Sequence, residues 1–370
     1  MTADAAKLQS VVIAEHDLTN FAAQLLQRAG FSAQDAAEMA NGLVQADMRG
    51  VASHGIIHLP NWLKRVRLGL VQTGCSYSVL MESSTTARLD AQHAPGILVG
   101  ARAMDMAVAK ARAAGLGAVA VTNSTHFGVG ALHAERATAA AMLGIALSNT
   151  TPMLTPPGGA QRLLGTNPLA VAVPDGQGGA ALSIDMGLGQ VTLGWVRDRM
   201  ERGLGLPEGV GLDRDGRPTQ DPACVLNEGV LLPMGGHKGF ALALVIEVLA
   251  GVLSGAGIGS EVGSLFFDYE RPQQTGHFFL AIDPCRFLPA AEFDRRLRFL
   301  MGWIRSAARA DGAGPGHLPG ERGRAELHRH RVHGITLVSS VAAALVEAAC
   351  EYGVDPPASL AGHGPALKVD

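Results

Sequence analysis

The run Gly117-Ala118-Val119-Ala120-Val121-Thr122 breaks off into Asn123-Ser124-Thr125-His126-Phe127-Gly128-Val129-Gly130, and no other junction constrains the fold as tightly. A short apolar run bounded by glycine and a polar cluster fits a buried strand. A histidine with two glycines released at its end is where an α/β protein brings groups to a ligand. The stretch ahead of it adds a helix: Ala103, Met106, Ala107, Ala111 and Ala114 recur at helical spacing between residues 96 and 114. Their small side chains let such a helix lie close to its neighbours. Further strands are expected at 117–122, 144–148, 169–173, 180–184, 229–232 and 277–282, each bounded by Gly, Pro, Asn or Asp. Only some connections are long enough for crossover helices, so the sheet need not be all parallel.

Both ends of the chain read as helical. Leu18, Phe21, Ala22, Leu25 and Leu26 form one stripe that stops near Gly30. Ala36, Met39, Ala40, Leu43 and Ala46 form another, which starts at the cap signal Ser32-Ala33-Gln34-Asp35 and stops near Gly50. Helix returns from about residue 324, with Val341, Leu345, Ala348 and Ala349 on one stripe. The Gly- and Pro-rich stretch 200–228 reads as a long irregular loop of functional or interfacial use. Gly239 to Leu253 is apolar apart from Glu247 and too short to cross a bilayer comfortably, so it reads as a buried core helix. No internal repeat is present. At 370 residues the chain exceeds one typical core, which predicts two domains or one domain with a large interwoven partner.

Composition removes several classes of function. A net charge of −3 without a basic stripe argues against nucleic acid, and the mixed stretch Arg322 to Arg331 reads as solvated surface. Cys75, Cys224, Cys285 and Cys350 are scattered and form no CxxC pair, which points to a reducing compartment. Met1 to Lys7 lacks the charge and apolar core of a secretory signal, so a cytoplasmic protein with no membrane attachment is expected. His328, His330 and His333 lack a Cys or carboxylate set, and no metal site is expected. There is no P-loop and no G-x-S-x-G elbow.

What remains suits redox or proton-transfer chemistry. The G-x-G-x-x-G fingerprint of a Rossmann turn has no match in the right context: Gly115-Leu116-Gly117 precedes its strand, and Gly255-Ala256-Gly257 follows a helix. Ser53-His54, inside Arg49-Gly50-Val51-Ala52-Ser53-His54-Gly55, pairs a hydroxyl with an imidazole that titrates in a useful range. Gly165-Thr166-Asn167-Pro168 is a turn carrying a hydroxyl and an amide. Gly235-Gly236-His237-Lys238-Gly239 sets a lysine among glycines at a helix start, a geometry that suits an anion.

In order along the chain, these strings resemble the non-Rossmann malate/L-lactate dehydrogenase family, whose members include ureidoglycolate and sulfolactate dehydrogenases, diketogulonate reductase and piperideine-2-carboxylate reductase. The resemblance also takes in Ile184-Asp185-Met186, Leu232 to Gly239, Gly276 to Pro284 and Leu318-Pro319-Gly320-Glu321-Arg322. It implies a non-Rossmann dinucleotide-binding domain on a largely antiparallel sheet, residues 76–309. It also implies a helical dimerisation and substrate domain made from residues 1–75 and 310–370. A homodimer using NADPH or NADH is implied as well. Ser53 and His54 are implied to handle the substrate proton, a task assigned in some relatives to the residue matching His126. His126, Phe127, Gly128, Val129, Gly130, Thr150, Asp185, Met186, Gly187, Lys238, Gly320, Glu321 and Arg322 are implied to contact the dinucleotide.

The chain departs from the family where substrate is held. His58 stands in place of an arginine, which removes a permanent bidentate carboxylate clamp. Gly187-Leu188-Gly189 and Gly194-Trp195 stand where hydroxyl and lysine positions are usual. His58, Thr166 and Trp195 are therefore the expected substrate-side residues of an atypical pocket. The expectation is an NAD(P)H-dependent oxidoreductase acting on a C=O or C=N beside a carboxylate, a 2-oxo or 2-hydroxy acid or a cyclic imino acid. The alternative is a catalytically degenerate dinucleotide-binding or interaction protein of the same fold.

Overall fold

A computed structural model describes residues 10–307 and 317–363. Met1 to Lys7 and parts of the two helical-domain segments expected above lie outside those residues. The chain divides into two compact units, one of Met1–Gly74 with Arg322–Asp370 and the other of Cys75–Glu321.

The first unit opens with strand β1 (Ser10–Ile13) and helices α1 (Glu15–Arg28) and α2 (Ala33–Met48). All ten apolar residues of the two expected stripes are buried. Ser32 caps α2 by accepting the Asp35 N–H at 3.1 Å. Two short 3₁₀ turns, Ala52–His54 and Ile56–His58, lead into α3 (Leu59–Arg67).

The second unit contains strands β2 (Ser78–Glu82) and β3 (Thr86–Asp90), helix α4 (Gly96–Ala114), strand β4 (Leu116–Ser124) and helix α5 (Gly130–Thr138). Strands β5 (Leu143–Ser148), β6 (Leu169–Pro174) and β7 (Ala180–Met186) follow. Beyond them lie α6 (Leu193–Glu201), β8 (Gly211–Leu212), β9 (Pro218–Thr219), α7 (Pro222–Asn227), β10 (Val230–Leu231), α8 (His237–Ile246), β11 (Thr275–Ile282) and α9 (Ala290–Ser306). The C-terminal part of the first unit supplies α10 (Glu321–His333), β12 (Ile335–Val338), which pairs with β1, and α11 (Ser339–Tyr352).

Seven strands form one sheet in the order β2-β3-β4-β11-β5-β6-β7. Only β3 and β4 are parallel, and α4 is the crossover that a parallel pair requires. The fold is α/β on a largely antiparallel sheet. Its core is built for close approach: Ala103, Met104, Ala107 and Ala111 of α4 and Ala134 and Ala137 of α5 pack on Val119, Val121, Ala146 and Phe279 of the sheet. A Cβ on Gly117 would stand 2.0 Å from the Ala107 carbonyl oxygen, and one on Gly144 2.1 Å from that of Ala134.

Two expectations are corrected. Residues 200–228 are not an irregular loop: they hold β8, β9 and α7, and β8 and β9 join β10 just beyond them in a small three-stranded sheet. Strands of two residues fall below any period that a sequence pattern can show. The segment 239–253 is not buried all round either. Leu244, Val245, Val248, Val252 and Leu253 are about half exposed on one side while Ala243, Ile246, Glu247 and Ala250 face inward. Apolar composition alone does not reveal a helix with one face left uncovered.

The tight helix-on-strand contacts predict opposite effects of two alanine substitutions in urea unfolding. Gly144→Ala forces α5 away from β5 and should destabilise by about 1–3 kcal/mol. Gly302→Ala, in mid-helix with nothing within 4 Å of the added carbon, should be neutral or stabilise by up to about 1 kcal/mol.

Candidate active site

In the first unit the Ser53-His54 turn is held from beneath. Ser53 Oγ lies 2.9 Å from His54 Nδ1. The His58 Nε2–H donates to the Ser53 carbonyl at 2.7 Å, and its ring meets that of His54 edge-on at 6.4 Å between centroids. His58 is buried, so it braces the turn rather than presenting an open cation. Asp47, near the end of α2, accepts the Ile56 N–H at 2.7 Å. A Cβ on Gly55 would fall within 2.2–2.4 Å of that carboxyl group, so only glycine fits there. Burial pushes the Asp47 pKa up to about 7 against the opposing Ile56 hydrogen bond, and desolvation pushes His54 down to about 4. At neutral pH His54 is a neutral imidazole. In the tautomer whose Nδ1–H is turned toward Ser53, Nε2 is the basic nitrogen.

In the second unit the strand register gathers the expected residues. β3 and β4 run out, β11 starts, β5 ends, β6 starts and β7 ends at one edge of the sheet. His126, Phe127, Gly128, Val129 and Gly130 follow β4; Thr150 follows β5; Thr166 precedes β6; and Asp185, Met186 and Gly187 close β7. Of six non-glycine residues with positive φ among the described residues, Gln92, His93, Asn123, Asn167 and Gln274 lie at this edge and only Ala141 elsewhere. Concentrated backbone strain of this kind marks functional edges.

The loop after β4 is pinned from several sides. Thr125 Oγ1 accepts the Gly96 N–H at 3.0 Å and donates to the Ala94 carbonyl at 3.2 Å. The His126 N–H donates to Gln273 Oε1 at 3.1 Å, while its Nδ1 accepts the Gly128 N–H at 3.2 Å. The His126 proton therefore sits on Nε2, which makes this ring a donor and not a base. Phe127 lies between His133 and His277, with centroids 5.1 and 5.0 Å away. His133 Nε2–H donates to the Phe127 carbonyl at 2.7 Å, and His277 spans Ser148 at 2.9 Å and Ser124 at 2.8 Å. Burial keeps both flanking histidines neutral, near pKa 4 for His133 and 3 for His277. Asp185 Oδ2 accepts the Ala131 N–H at 2.8 Å and caps α5, where the helix dipole favours an anion.

A second cluster joins Thr150, Thr166 and Gly187. Asn167 Oδ1 accepts the Thr150 N–H at 3.1 Å, and the Thr166 carbonyl accepts the Leu188 N–H at 2.6 Å. A Cβ on Gly187 would stand 3.6 Å from that same carbonyl oxygen.

The remaining expected residues sit on other elements. Lys238 is exposed in the first turn of α8 and makes no ion pair among the described residues. Gly235 and Gly236 ahead of it have positive φ, and a Cβ on either would meet nothing within 4 Å. An open helix N-terminus with a spare ammonium fits a phosphate. Trp195 begins α6, donating its N–H to Thr192 Oγ1 at 3.2 Å, and the Arg199 guanidinium lies 5.0 Å from its ring. Gly320 lies in a turn whose Pro319 carbonyl accepts the Ser183 N–H at 3.1 Å. Glu321 accepts from Leu318 at 2.8 Å and from Arg305 at 2.5 Å. Arg322 is exposed on α10, in the first unit. No metal-binding group of His, Cys, Asp or Glu occurs among the described residues.

Sequence reasoning missed Asp47, His133, Asn149, Glu247, Gln273 and His277. Two carried a signal: Asp47 falls on the apolar stripe of α2, and Glu247 interrupts an apolar run. The others were ordinary polar residues until register brought them together.

A family model described as malate/L-lactate dehydrogenase matches residues 13–346. The malate/(S)-sulfolactate dehydrogenase of Methanothermus fervidus is 32% identical over 345 residues, covering 93% of this chain and 99% of that one. The (2R)-3-sulfolactate dehydrogenase (NADP(+)) of Chromohalobacter salexigens is 34% identical over 332 residues, covering 90% and 96%. The solved malate dehydrogenase of Pyrococcus horikoshii OT3 superposes with a TM-score of 0.87 at 29% identity, covering 96% of this chain and 99% of that one. Fold and kinship define an NAD(P)-dependent oxidoreductase built without a Rossmann turn. The chain belongs to the malate/L-lactate dehydrogenase family.

The raised Asp47 pKa carries a pH prediction. A carboxyl group whose folded pKa, about 7, stands above its ordinary 3.8 gives support that is fully present below 3.8, when it is protonated, and that is lost as pH rises through 7. Asn at position 47 cannot ionise. Asp47→Asn should therefore gain on the parent between pH 4 and pH 8, by on the order of 2 kcal/mol in melting experiments. A gap that stays constant with pH would contradict the assignment.

Proposed function

We propose that the protein transfers hydride between NADPH or NADH and a carbon that carries C=O or C=N beside a carboxylate. A 2-oxo or 2-hydroxy acid or a cyclic imino acid is the substrate class. The observation that carries this reading is the convergence of His126–Gly130, Thr150, Thr166 and Asp185–Gly187 at one strained edge of the sheet. Ligands of open α/β sheets bind beyond such strand ends. His126, Phe127, Gly128, Val129 and Gly130 would line the dinucleotide, with Thr150, Asp185, Met186 and Gly187 across from them. Lys238 would meet a phosphate, and Gly320, Glu321 and Arg322 would also contact the dinucleotide.

Bound nicotinamide supplies the hydride chemistry. The chain supplies the proton. His54 Nε2 takes it from a substrate hydroxyl during oxidation and returns it to the oxygen or nitrogen during reduction, while Ser53 fixes the ring. His126 suits this task less well, because its Nδ1 already accepts from Gly128. His58 would act through the Ser53 carbonyl it holds, and Thr166 and Trp195 would shape the substrate side. Without an arginine at position 58, simple 2-oxo acids should bind weakly.

A homodimer is part of this proposal, supported by the exposed apolar face of Leu244, Val245, Val248, Val252 and Leu253. A cytoplasmic setting is part of it too, supported by Cys75, Cys224, Cys285 and Cys350, which form no disulfide with one another.

Turnover of a panel of 2-oxo and cyclic imino acids with NADPH and NADH tests the reading directly; cofactor binding without turnover of any member would overturn it. Within it, His54→Ala should lower kcat by roughly 10²–10⁴ with little change in cofactor affinity. An unchanged kcat would move the role to His126. Lys238→Ala should weaken NADPH binding by about tenfold, as expected for one exposed charge-assisted contact.

A further inference from the structure

We propose that Glu247 is the positioning residue of this site, holding the two threonine-bearing loops in register through a buried carboxylate that no cation neutralises. The inference rests on the assignment of Thr150 and Thr166 to the cofactor and substrate made above.

Glu247 stands where α8 gives way to a π-helical segment, Glu247–Val252, a widening of the helix that is often found at functional sites. Its side chain is buried, at 4% exposure. Oε1 accepts from Asn149 Nδ2 at 3.3 Å and from the Gly259 N–H at 3.0 Å, and Oε2 accepts from Asn167 Nδ2 at 2.7 Å. No lysine, arginine or histidine pairs with it among the described residues. Each asparagine then reaches further. Asn149 Nδ2 also donates to the Gly257 carbonyl at 2.7 Å, and its Oδ1 accepts the Gly276 N–H at 2.8 Å. Asn167 Nδ2 also donates to the Ala243 carbonyl at 3.0 Å, and its Oδ1 accepts the Thr150 N–H at 3.1 Å.

One carboxylate thus joins the end of β5, which carries Thr150, to the turn ahead of β6, which carries Thr166. It also ties both to the segment entering β11. Asn167 is held at φ 32°, an unfavourable backbone that persists only where neighbours over-determine it. A buried acidic side chain without a cationic partner is a poor way to stabilise a fold, since well-packed apolar groups usually do as well or better. A single group that receives three convergent donors instead sets geometry, because no other side chain of that size accepts from all three at once.

The test is Glu247→Gln in the full chain, assayed well below its melting temperature. The new amide turns a donor toward donors. NADPH affinity, read by quenching of tryptophan fluorescence, should weaken by about tenfold and substrate KM should rise similarly, the scale of one or two lost buried hydrogen bonds. The exchange Glu247→Gln with Asn167→Asp restores a donor facing a carboxylate and keeps the charge count, so it should recover part of the loss instead of adding to it. If Glu247→Gln does not fold, Asn167→Ala, which cuts the link to Thr150, should show the same weakening. Wild-type NADPH affinity and KM in whichever variant folds, or a double variant as weak as the product of its parents, would overturn the role. Thr150→Val separates the two levels. If it weakens NADPH binding and Glu247→Gln does not, only the role of Glu247 falls; if neither weakens it, the cofactor assignment of this rim falls as well.

Discussion

The distance between α4 and β4 sets the rest of the second unit. A parallel pair needs a crossover, and here the crossover helix lies so close that the Ala107 carbonyl occupies the space of a Gly117 side chain. Alanines on the helix and glycines in the strands make this contact possible, and α5 repeats it over Gly144. With both helices flush against the sheet, the loops that leave β3 and β4 emerge side by side. Gly96 at the start of α4 then bonds to Thr125 in the loop after β4. Packing of small residues in the core thereby fixes where His126 stands.

Beneath that edge the protein uses neutral hydrogen bonds in place of ion pairs. His133 and His277 are kept uncharged by burial, and their rings hold Phe127 between them while their nitrogens bond to backbone and serine. Protonation of either ring would put a buried cation beside a stacked phenyl group and break a donor-acceptor pattern. Such networks specify a single arrangement when every member is satisfied. They are also weakly screened by salt, because little charge is involved.

Elements with a strong period were legible in the sequence, and so were the motifs at their ends. The stripes of α1 and α2, the strand from Leu116 and the polar cluster after it all follow from local pattern. Strand β2 at the far edge of the sheet escaped, because Val79, Leu80 and Met81 are all exposed and show no inward alternation. The short strands around Gly211 and Val230 escaped for want of length. Asn149 and Gln273 could not be ranked above other polar residues, since their roles come from pairings across 127 and 147 positions of sequence. His58 was legible as a departure, but not its use. Only the structure shows its Nε2–H directed at the Ser53 carbonyl.

That use bears on how His54 can work as an acid. With its pKa pushed down to about 4 by burial, the ring would be ready, on the proposed assignment, to accept a proton from a hydroxy acid but would hold none to give a keto acid. A nearby carboxylate raises an imidazole pKa, so an anionic substrate would itself help to charge the ring it needs for reduction. An arginine at position 58 would oppose this, since a permanent cation close to His54 disfavours a second one. A buried His58 committed to the Ser53 carbonyl brings no permanent cation to His54, so on the proposed assignment the substrate's own charge would set the protonation of that ring. On the proposed assignment, weak grip on the carboxylate and substrate-assisted protonation would be two results of one replacement, and His54 would become a fully competent donor only with an anionic substrate in place.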